Sequence, residues 1–510
     1  MTAIDTTARR SLTDRFLDRI EKAGNRLPDA VTLFLYLITG LLLISAVASW
    51  FGAAVEHPTT KAVVPVVNLL SDDSIRRWLA EFPSIFANFA PLGMVLVAMV
   101  GVGMAEKSGL IATSLSSLVR SVPKAMLTLT IVFAGVMSSL AVDAGYVVLV
   151  PLGAALFAAV GRHPIAGLAA GFAGVSGGFS ANLLITPLDA QLAGLTEPAA
   201  RLIDPAVTVP ITANFYLMAA LVPLFTIVGT IITERLVEPR LGAWAGSRDT
   251  SVDPGTVTDV ERRGLRNAGL VLAAIVALVA VAVVPAWGPL RGPNGELTQF
   301  FKGLVTILMA AFVLMAITYG RTVGTIRSER DAVKMAGQSM SDLGYYIVLV
   351  MAIAQFVQLF GWSNLGVWLA VNGAGALKAA GLTGAVLIVL FIILTCLINL
   401  LIGSASAKWA LLAPVFVPVF MLLGFTPDFA QAVYRIGDAF TNIITPLNVY
   451  FAVVIVFAQR YVPGFGIGSL VSVMLPYCLW FGIASTLMTL GWYWLDLPLG
   501  PGSYIHPAKP

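Results

Sequence analysis

Five charged residues stand where a chain this apolar is expected to carry none. Lys408, Arg435 and Asp438 lie inside long apolar runs, and Asp143 and Asp189 do the same nearer the N-terminus. A charge near the bilayer centre costs about 2.5–3.5 kcal/mol on insertion scales, so function is the default reading for each. Arg435 can hold a carboxylate through two parallel N–H donors. Trp409, three residues past Ser406, offers an aromatic face to a ring. Asn182, Asn442, Asn399, Ser404, Ser406 and Thr441 supply neutral oxygens around unwound backbone, which is the chemistry of a Na⁺ site, chiefly near Asn182 and Asn442. Asp143, Asp189 or Asp438 offers instead a place for a proton. The plainer alternative is a structural pair: Arg435 and Asp438 are spaced i, i+3, share a helix face and can neutralise each other.

Lys408 sits two residues past Ser406, about 3 Å along a helix axis. That is too deep for its ammonium to snorkel easily to an interface. Left alone there it would lose its proton, so it needs a carboxylate, and Asp438 and Asp189 are the candidates. Paired in this way it can replace a bound cation or carry a proton. The alternative is a water-filled vestibule in which it attracts anions.

The elements that position these residues follow from composition. The 510 residues are 58% hydrophobic and 11% charged. Soluble domains carry about 25% charge, and disorder requires low hydrophobicity, so neither class fits. Apolar runs of about 20 residues, rather than alternating segments of about 10, point to helices and not a barrel. The expected fold is an all-α polytopic membrane protein. Nine spans are expected near 30–52, 86–105, 164–187, 208–233, 264–285, 302–320, 343–360, 428–459 and 467–495. Two further apolar regions, 124–160 and 381–424, are broken by Ser138-Ser139 to Asp143 and by Gly403-Ser404-Ala405-Ser406. Each is a re-entrant hairpin or a pair of spans; both leave the outer topology unchanged, and the hairpin is the expectation adopted.

With the N-terminus inside, the inside segments hold 21 basic residues against 8 outside, the bias that sets orientation. Nine crossings then put the C-terminus outside. The chain divides into an amphipathic cytoplasmic segment (1–29), a first half (30–233) with the hairpin 124–160 and the broken helix 164–187, a cytoplasmic linker (234–263), and a second half (264–510) with the hairpin 381–424 and the broken helix 428–459. No cleavable signal precedes the first span. Cys396 and Cys478 both lie in apolar runs, which argues against a disulfide framework.

A shift of 263 residues brings Pro151 onto Pro414, Gly161 onto Gly424, Pro164 onto Pro427 and Gly174 onto Gly437; after a three-residue gap NLLITPL (182–188) meets NIITPL (442–447). Proline and glycine punctuate backbone rather than fill cores, so their shared spacing indicates a repeat. The spans before the two broken regions run in opposite directions. An inverted-topology repeat is the architecture of secondary transporters, with sites at the midplane where helices are interrupted. Enzymes are disfavoured: the three histidines (His57, His163, His506) fall in loops, and no metalloprotease or nucleotide-binding motif is present. No basic tract suits nucleic acid, no cofactor is implied, and nothing resembles a channel filter.

These residues sit in recognisable motifs: GLAAGFAGVSGGFSANLL (167–184), IGSASAKWALLAPVFVP (402–418), YRIGDAFTNIITPL (434–447), GYVVLVPL (145–152) and LPLGPG (497–502). Over nearly its full length the chain resembles the p-aminobenzoyl-glutamate transporter (AbgT) family, within a wider group of ion-coupled carriers that includes dicarboxylate transporters. The resemblance implies a homodimer in a bacterial inner membrane. It implies transport of p-aminobenzoyl-glutamate or related aryl-amide antimetabolites, sulfonamide efflux among them, coupled to Na⁺ or H⁺. A dicarboxylate carrier is the alternative. The family's functional positions fall on Asp189, Asn399, Ser406, Trp409, Pro427, Arg435, Asp438 and Pro446. The Ser-Asn-Thr signature of the wider group's hairpin tips is not kept: the tips read Ser138-Ser139-Leu140-Ala141 and Ser404-Ala405-Ser406.

Overall fold

A computed structural model describes residues 28–58, 60–120, 123–140, 145–244, 257–292, 295, 297–445, 448 and 450–507. The N-terminal segment up to residue 27, the centre of the linker, Asp143 and Pro446 lie outside the described residues. The rest is almost wholly helical. In chain order the helices are α1 (Ala30–Trp50), α2 (Asp72–Ala87), α3 (Ala90–Lys107), α4 (Leu110–Arg120), α5 (Lys124–Met137), α6 (Gly145–Ala159), α7 (Pro164–Gly177), α8 (Pro187–Ala200), α9 (Phe215–Leu241), α10 (Asp259–Val283) and α11 (Thr298–Val323). They continue as α12 (Glu329–Asp342), α13 (Gly344–Trp362), α14 (Leu365–Ala379), α15 (Gly384–Asn399), α16 (Ala405–Leu422), α17 (Pro427–Ala439), α18 (Phe451–Gln459) and α19 (Ile467–Trp494). Among the described residues eight helices are long and apolar enough to cross a membrane, or ten if each of two bent pairs counts as one span.

Local chemistry sets the boundaries. Asp29, Ser404 and Thr426 accept backbone N–H groups at the starts of α1, α16 and α17, and Thr258 and Ser328 form capping boxes with Glu261 and Asp331. Pro164, Pro187 and Pro427 each open a helix, where a missing N–H costs nothing. His163 caps α7 through Nδ1, at 3.2 Å from Ile165 N. Burial holds the His163 pKa below its ordinary value despite the opposing charge of Glu238, which keeps that nitrogen an acceptor.

The same order of elements occurs twice. α4 turns by 119° into α5, and α14 turns by 120° into α15. Each is followed by a break, a second limb, a left-handed glycine (Gly161 at φ +81°, Gly424 at φ +91°) and a helix opening on proline. That helix gives way in turn to non-helical backbone, over 178–186 before α8 and at 444–445 before α18. Two expectations need correction. The broken helix expected at 164–187 continues as α8 to Ala200, because Pro187 starts a helix as well as ending an unwound stretch. The linker expected over 234–263 is helical at both ends, since α9 runs to Leu241 and α10 resumes at Asp259. Helices α2, α4, α12 and α14 lie outside the nine expected spans. α2 and α12 carry charges on one face, and α4 and α14 are short pieces leading into sharp bends.

α5–α8 and α15–α18 form the interior, while α10 packs on α11 and α11 on α3 at the periphery. In the first half the packing is backbone on backbone. A Cβ at Gly167 would lie 2.2 Å from the Gly153 carbonyl oxygen, and one at Gly174 would lie 2.6 Å from that of Val132. α6 and α5 therefore touch α7 without intervening side chains. Gly167→Ala should lower stability in detergent by about 1–3 kcal/mol through overpacking. Gly40→Ala, in α1 with nothing within 4 Å, should be neutral or stabilising by up to about 1 kcal/mol. Equal melting temperatures for the two variants would refute this close approach.

The C-terminal strap packs over the start of α17 in the second half. Thr426 N donates to the Ile505 carbonyl at 2.8 Å, Thr426 Oγ1 donates to that of Tyr504 at 2.5 Å, and His506 Nδ1 lies 2.9 Å from the Gly424 carbonyl oxygen.

Candidate functional site

Both intramembrane cations find carboxylates, and each pair joins different elements. Arg435, on α17, reaches across to the first half: Nη1 donates to Asp189 Oδ1 at 2.5 Å and Nη2 to the Ser180 carbonyl at 3.0 Å. Asp189 lies in the first turn of α8, and its Oδ2 also accepts Thr186 N and Thr186 Oγ1, both at 2.7 Å. The carboxylate thus sits on a helix N-terminus, where the dipole favours negative charge. Lys408, on α16, forms a salt bridge with Asp438 and donates to Asn399 Oδ1. Lys408 is 0% exposed and Asp438 1%. The i, i+3 neighbours Arg435 and Asp438 do not neutralise each other: each is held by a residue from another helix.

Asn399 ends α15 and ties the break together. Its Nδ2 lies 2.8 Å from the Asp438 carbonyl oxygen, 2.7 Å from Thr441 Oγ1 and 2.8 Å from Asn442 Oδ1. It thereby serves the carbonyl that is freed where α17 tightens into the 3₁₀ turn Phe440–Ile443. Ser404 caps α16, accepting from Ala407 N at 3.3 Å, and lies 3.4 Å from Ser406. Pro427 is the first residue of α17, a helix buried along its whole length.

Trp409 is fully buried. Its ring stacks on Tyr434 at 4.5 Å and 27°, and Nε1 donates to Thr196 Oγ1 at 2.8 Å. Thr196 in turn donates to Gln431 Oε1 at 2.6 Å, and Gln431 Nε2 donates to Asn214 Oδ1 at 2.8 Å. This buried polar chain runs beside the Arg435–Asp189 pair and was not singled out from the sequence. Its signal is helical spacing: Gln431 lies four residues before Arg435, and Thr196 seven after Asp189, on the same faces.

In the first half, Ser139 Oγ donates to Asn182 Oδ1 at the break between α7 and α8. Asn448 Nδ2 links the halves, at 3.2 Å from both Tyr146 OH and Ser176 Oγ, and Tyr146 stacks on Tyr450 at 4.2 Å. Asn182 Nδ2, Ser180 Oγ and Arg435 Nε are buried without a hydrogen-bond partner among the described residues. They are donor-capable groups next to the unwound stretch 178–186, and an anion satisfies such groups.

A cavity of about 540 Å³ opens beside these breaks, lined by Ser404, Ala405, Asn442, Asn448, Tyr450 and Tyr146 among others. Its lining extends to the start of α1, where Tyr345 OH donates to Asp29 Oδ2 at 2.8 Å. Asn442 on its wall is hydrogen-bonded to Asn399, which holds Lys408, so these two asparagines separate the cavity from the buried pair. A larger cavity, of about 1040 Å³, lies between the ends of α9 and α19 and is lined by none of the buried charges. The smaller one is the candidate because it reaches the polar groups. Of the expected site residues, Ser404, Ser406, Asn399, Lys408, Asp438 and Asn442 come together at the second break. Arg435, Asp189 and Trp409 gather around α8 and α17, and Asn182 lies at the first break.

Residues 15–507 match the model of the AbgT transporter family. The chain belongs to the AbgT family. A p-aminobenzoyl-glutamate transport protein of Escherichia coli K12 is 39% identical over 488 residues, which is 95% of this chain and 96% of that one. Two solved AbgT structures share the fold. The YdaH transporter of Alcanivorax borkumensis, described as having an unusual topology, is 45% identical with a TM-score of 0.89, over 93% of this chain and all of that one. MtrF of Neisseria gonorrhoeae, described within a class of antimetabolite efflux pumps, is 44% identical with a TM-score of 0.90, over 96% of this chain and all of that one. This AbgT protein is therefore an all-α, multi-pass membrane transporter, as its motifs implied.

Proposed function

We propose that this protein carries p-aminobenzoyl-glutamate or a related aryl-amide antimetabolite, sulfonamides included, across a bacterial inner membrane, driven by a cation gradient. The observation that carries the reading is the cavity at the second break, linked to the Lys408–Asp438 pair through the hydrogen-bonded Asn442 and Asn399. Substrate can thus be sensed by buried charge. Arg435, with Asn182 and Ser180 beside it, is the group for a substrate carboxylate, since donor-capable atoms there lack partners among the described residues. Trp409 and Tyr434 offer the aromatic pair, reached once the hairpin limb α16 shifts. Asn399, Ser406, Pro427 and Pro446 shape the substrate side, and Asp143, Asp189, Asp438, Asn182, Asn442, Ser404 and Lys408 the ion side. We infer nine crossings, two re-entrant hairpins and an inverted repeat, with the N-terminus inside and the protein a homodimer; the duplicated order of elements supports the repeat. The dicarboxylate alternative is not favoured, because the similar curated protein is named for p-aminobenzoyl-glutamate.

The test is counterflow of labelled p-aminobenzoyl-glutamate in proteoliposomes, followed by Na⁺ and pH gradients imposed separately. Saturable exchange competed by sulfonamides is expected. Exchange of succinate with none of p-aminobenzoyl-glutamate would reverse the substrate assignment. A cysteine at Ala405 should label slowly from water and be protected by substrate; rapid labelling from the cytoplasmic face, the side opposite to the hairpin's entry, would refute a re-entrant second hairpin.

A further inference from the structure

Lys408 has a place in this site that no substrate contact explains. We propose that its ammonium is a tethered cation, filling the cation site of the second half between Asp438 and Asn399 and so closing that site to free Na⁺. The inference deepens the reading of a cation-driven carrier and rests on that reading.

The ligands are those a hard cation takes. Nζ meets one carboxylate, from Asp438, and one amide oxygen, from Asn399. The amide cannot easily turn away, because its nitrogen faces the Asp438 carbonyl, Thr441 Oγ1 and Asn442 Oδ1, all acceptors. The charges balance within the pair. Asp438 has Tyr434 OH as a further neighbour at 3.4 Å, and the nearby Arg435 is taken by Asp189. A Na⁺ added here would set two positive charges against one carboxylate in a site with 0% exposure at the lysine. Like charges repel strongly where water cannot screen them.

The other half is built differently. The 263-residue shift that relates the halves brings Lys408 onto Gly145 and Asn399 onto Val136. A Cβ at Gly145 would lie 2.3 Å from Ser138 Oγ, so no side chain fits there. At that break stand Ser139 and Asn182, neutral groups, and Asn182 Nδ2 has no partner among the described residues. Among the described residues, the second break therefore carries its own cation, whereas Ser139 and Asn182 at the first break are neutral. Any requirement for Na⁺ belongs to the first half.

The experiment measures binding of radiolabelled Na⁺ to the purified full-length protein without substrate, so its outcome is independent of the substrate assignment. Lys408→Ala and Lys408→Gln should each bind Na⁺ beyond the wild-type level and be stabilised by Na⁺ against heating. Adding Asp438→Asn to Lys408→Ala should return binding to the wild-type level. Crystals of the wild type soaked in Tl⁺ should show no anomalous peak between Asp438 and Asn399. Folded Lys408 variants that bind no more Na⁺ than the wild type would overturn the proposal, as would a Tl⁺ peak at that position. The Tl⁺ soak decides alone if the variants fail to fold.

Discussion

Arg435→Ala should abolish transport and lower stability by about 3–5 kcal/mol, because it strands the Asp189 carboxylate in the interior. Asp189 is 6% exposed and Arg435 1%, and their contact joins α8 of the first half to α17 of the second. The arginine also serves the Ser180 carbonyl, on the unwound stretch that α8 follows. Two effects can be separated by variants. Arg435→Lys keeps the charge but loses the fork, so it should fold yet transport at least about tenfold more slowly. Arg435→Leu combined with Asp189→Asn removes both charges and should recover most of the stability without activity, since a neutral pair of similar volume is often tolerated. Denaturation in detergent and proteoliposome uptake read the two quantities. An Arg435→Ala protein as stable and active as wild type would mean that the pair is incidental.

Trp409→Ala should cost about 3–5 kcal/mol, the range for emptying a buried aromatic site. The residue is 0% exposed, stacks on Tyr434 and donates to Thr196. Trp409→Phe keeps the stack and loses the hydrogen bond, a loss of about 1 kcal/mol, or somewhat more if Thr196 is left short of a partner. The melting temperatures should therefore rank wild type, Phe, Ala. Transport distinguishes packing from recognition. If the indole meets the aryl ring during the cycle, Trp409→Phe should raise KM for p-aminobenzoyl-glutamate while its stability stays near wild type. A Trp409→Ala protein that melts and transports normally would remove the tryptophan from both roles.

Much of this site was legible in the sequence, because burying charge is costly and the partners are few. Lys408 was expected to find Asp438 or Asp189, and it finds Asp438. The alternative pairing of Arg435 with Asp438 was equally consistent with helical spacing. It fails because spacing along one helix does not say which neighbouring helix approaches each residue. Gln431, Thr196 and Asn214 were missed since neutral polar residues in apolar runs give a weaker signal than charges, and their partners lie more than 200 residues away. The helices α5, α6, α15 and α16 were visible as apolar runs with small polar breaks. The helices α2, α4, α12 and α14 were not, because amphipathic or short helices lack the long apolar window that marks a span. The break before α8 was placed correctly, but its continuation to Ala200 was not, since proline both ends one helix and starts another.

The strap over Thr426 puts a clock on assembly. The first residue of the cap that α17 needs is 78 positions upstream of the Tyr504 carbonyl that receives its hydroxyl. At a synthesis rate of about 5–20 residues per second, about 4–16 s pass between the two. During that interval α17, with Arg435 and Asp438 already made, has its Thr426 cap, the earlier helices α15 and α16 and the first half to lean on. Asp189 was translated long before and is ready to receive Arg435, so the interhalf pair can form while the strap is still missing. The residues of the charge pairing are thus all made before those of the latch.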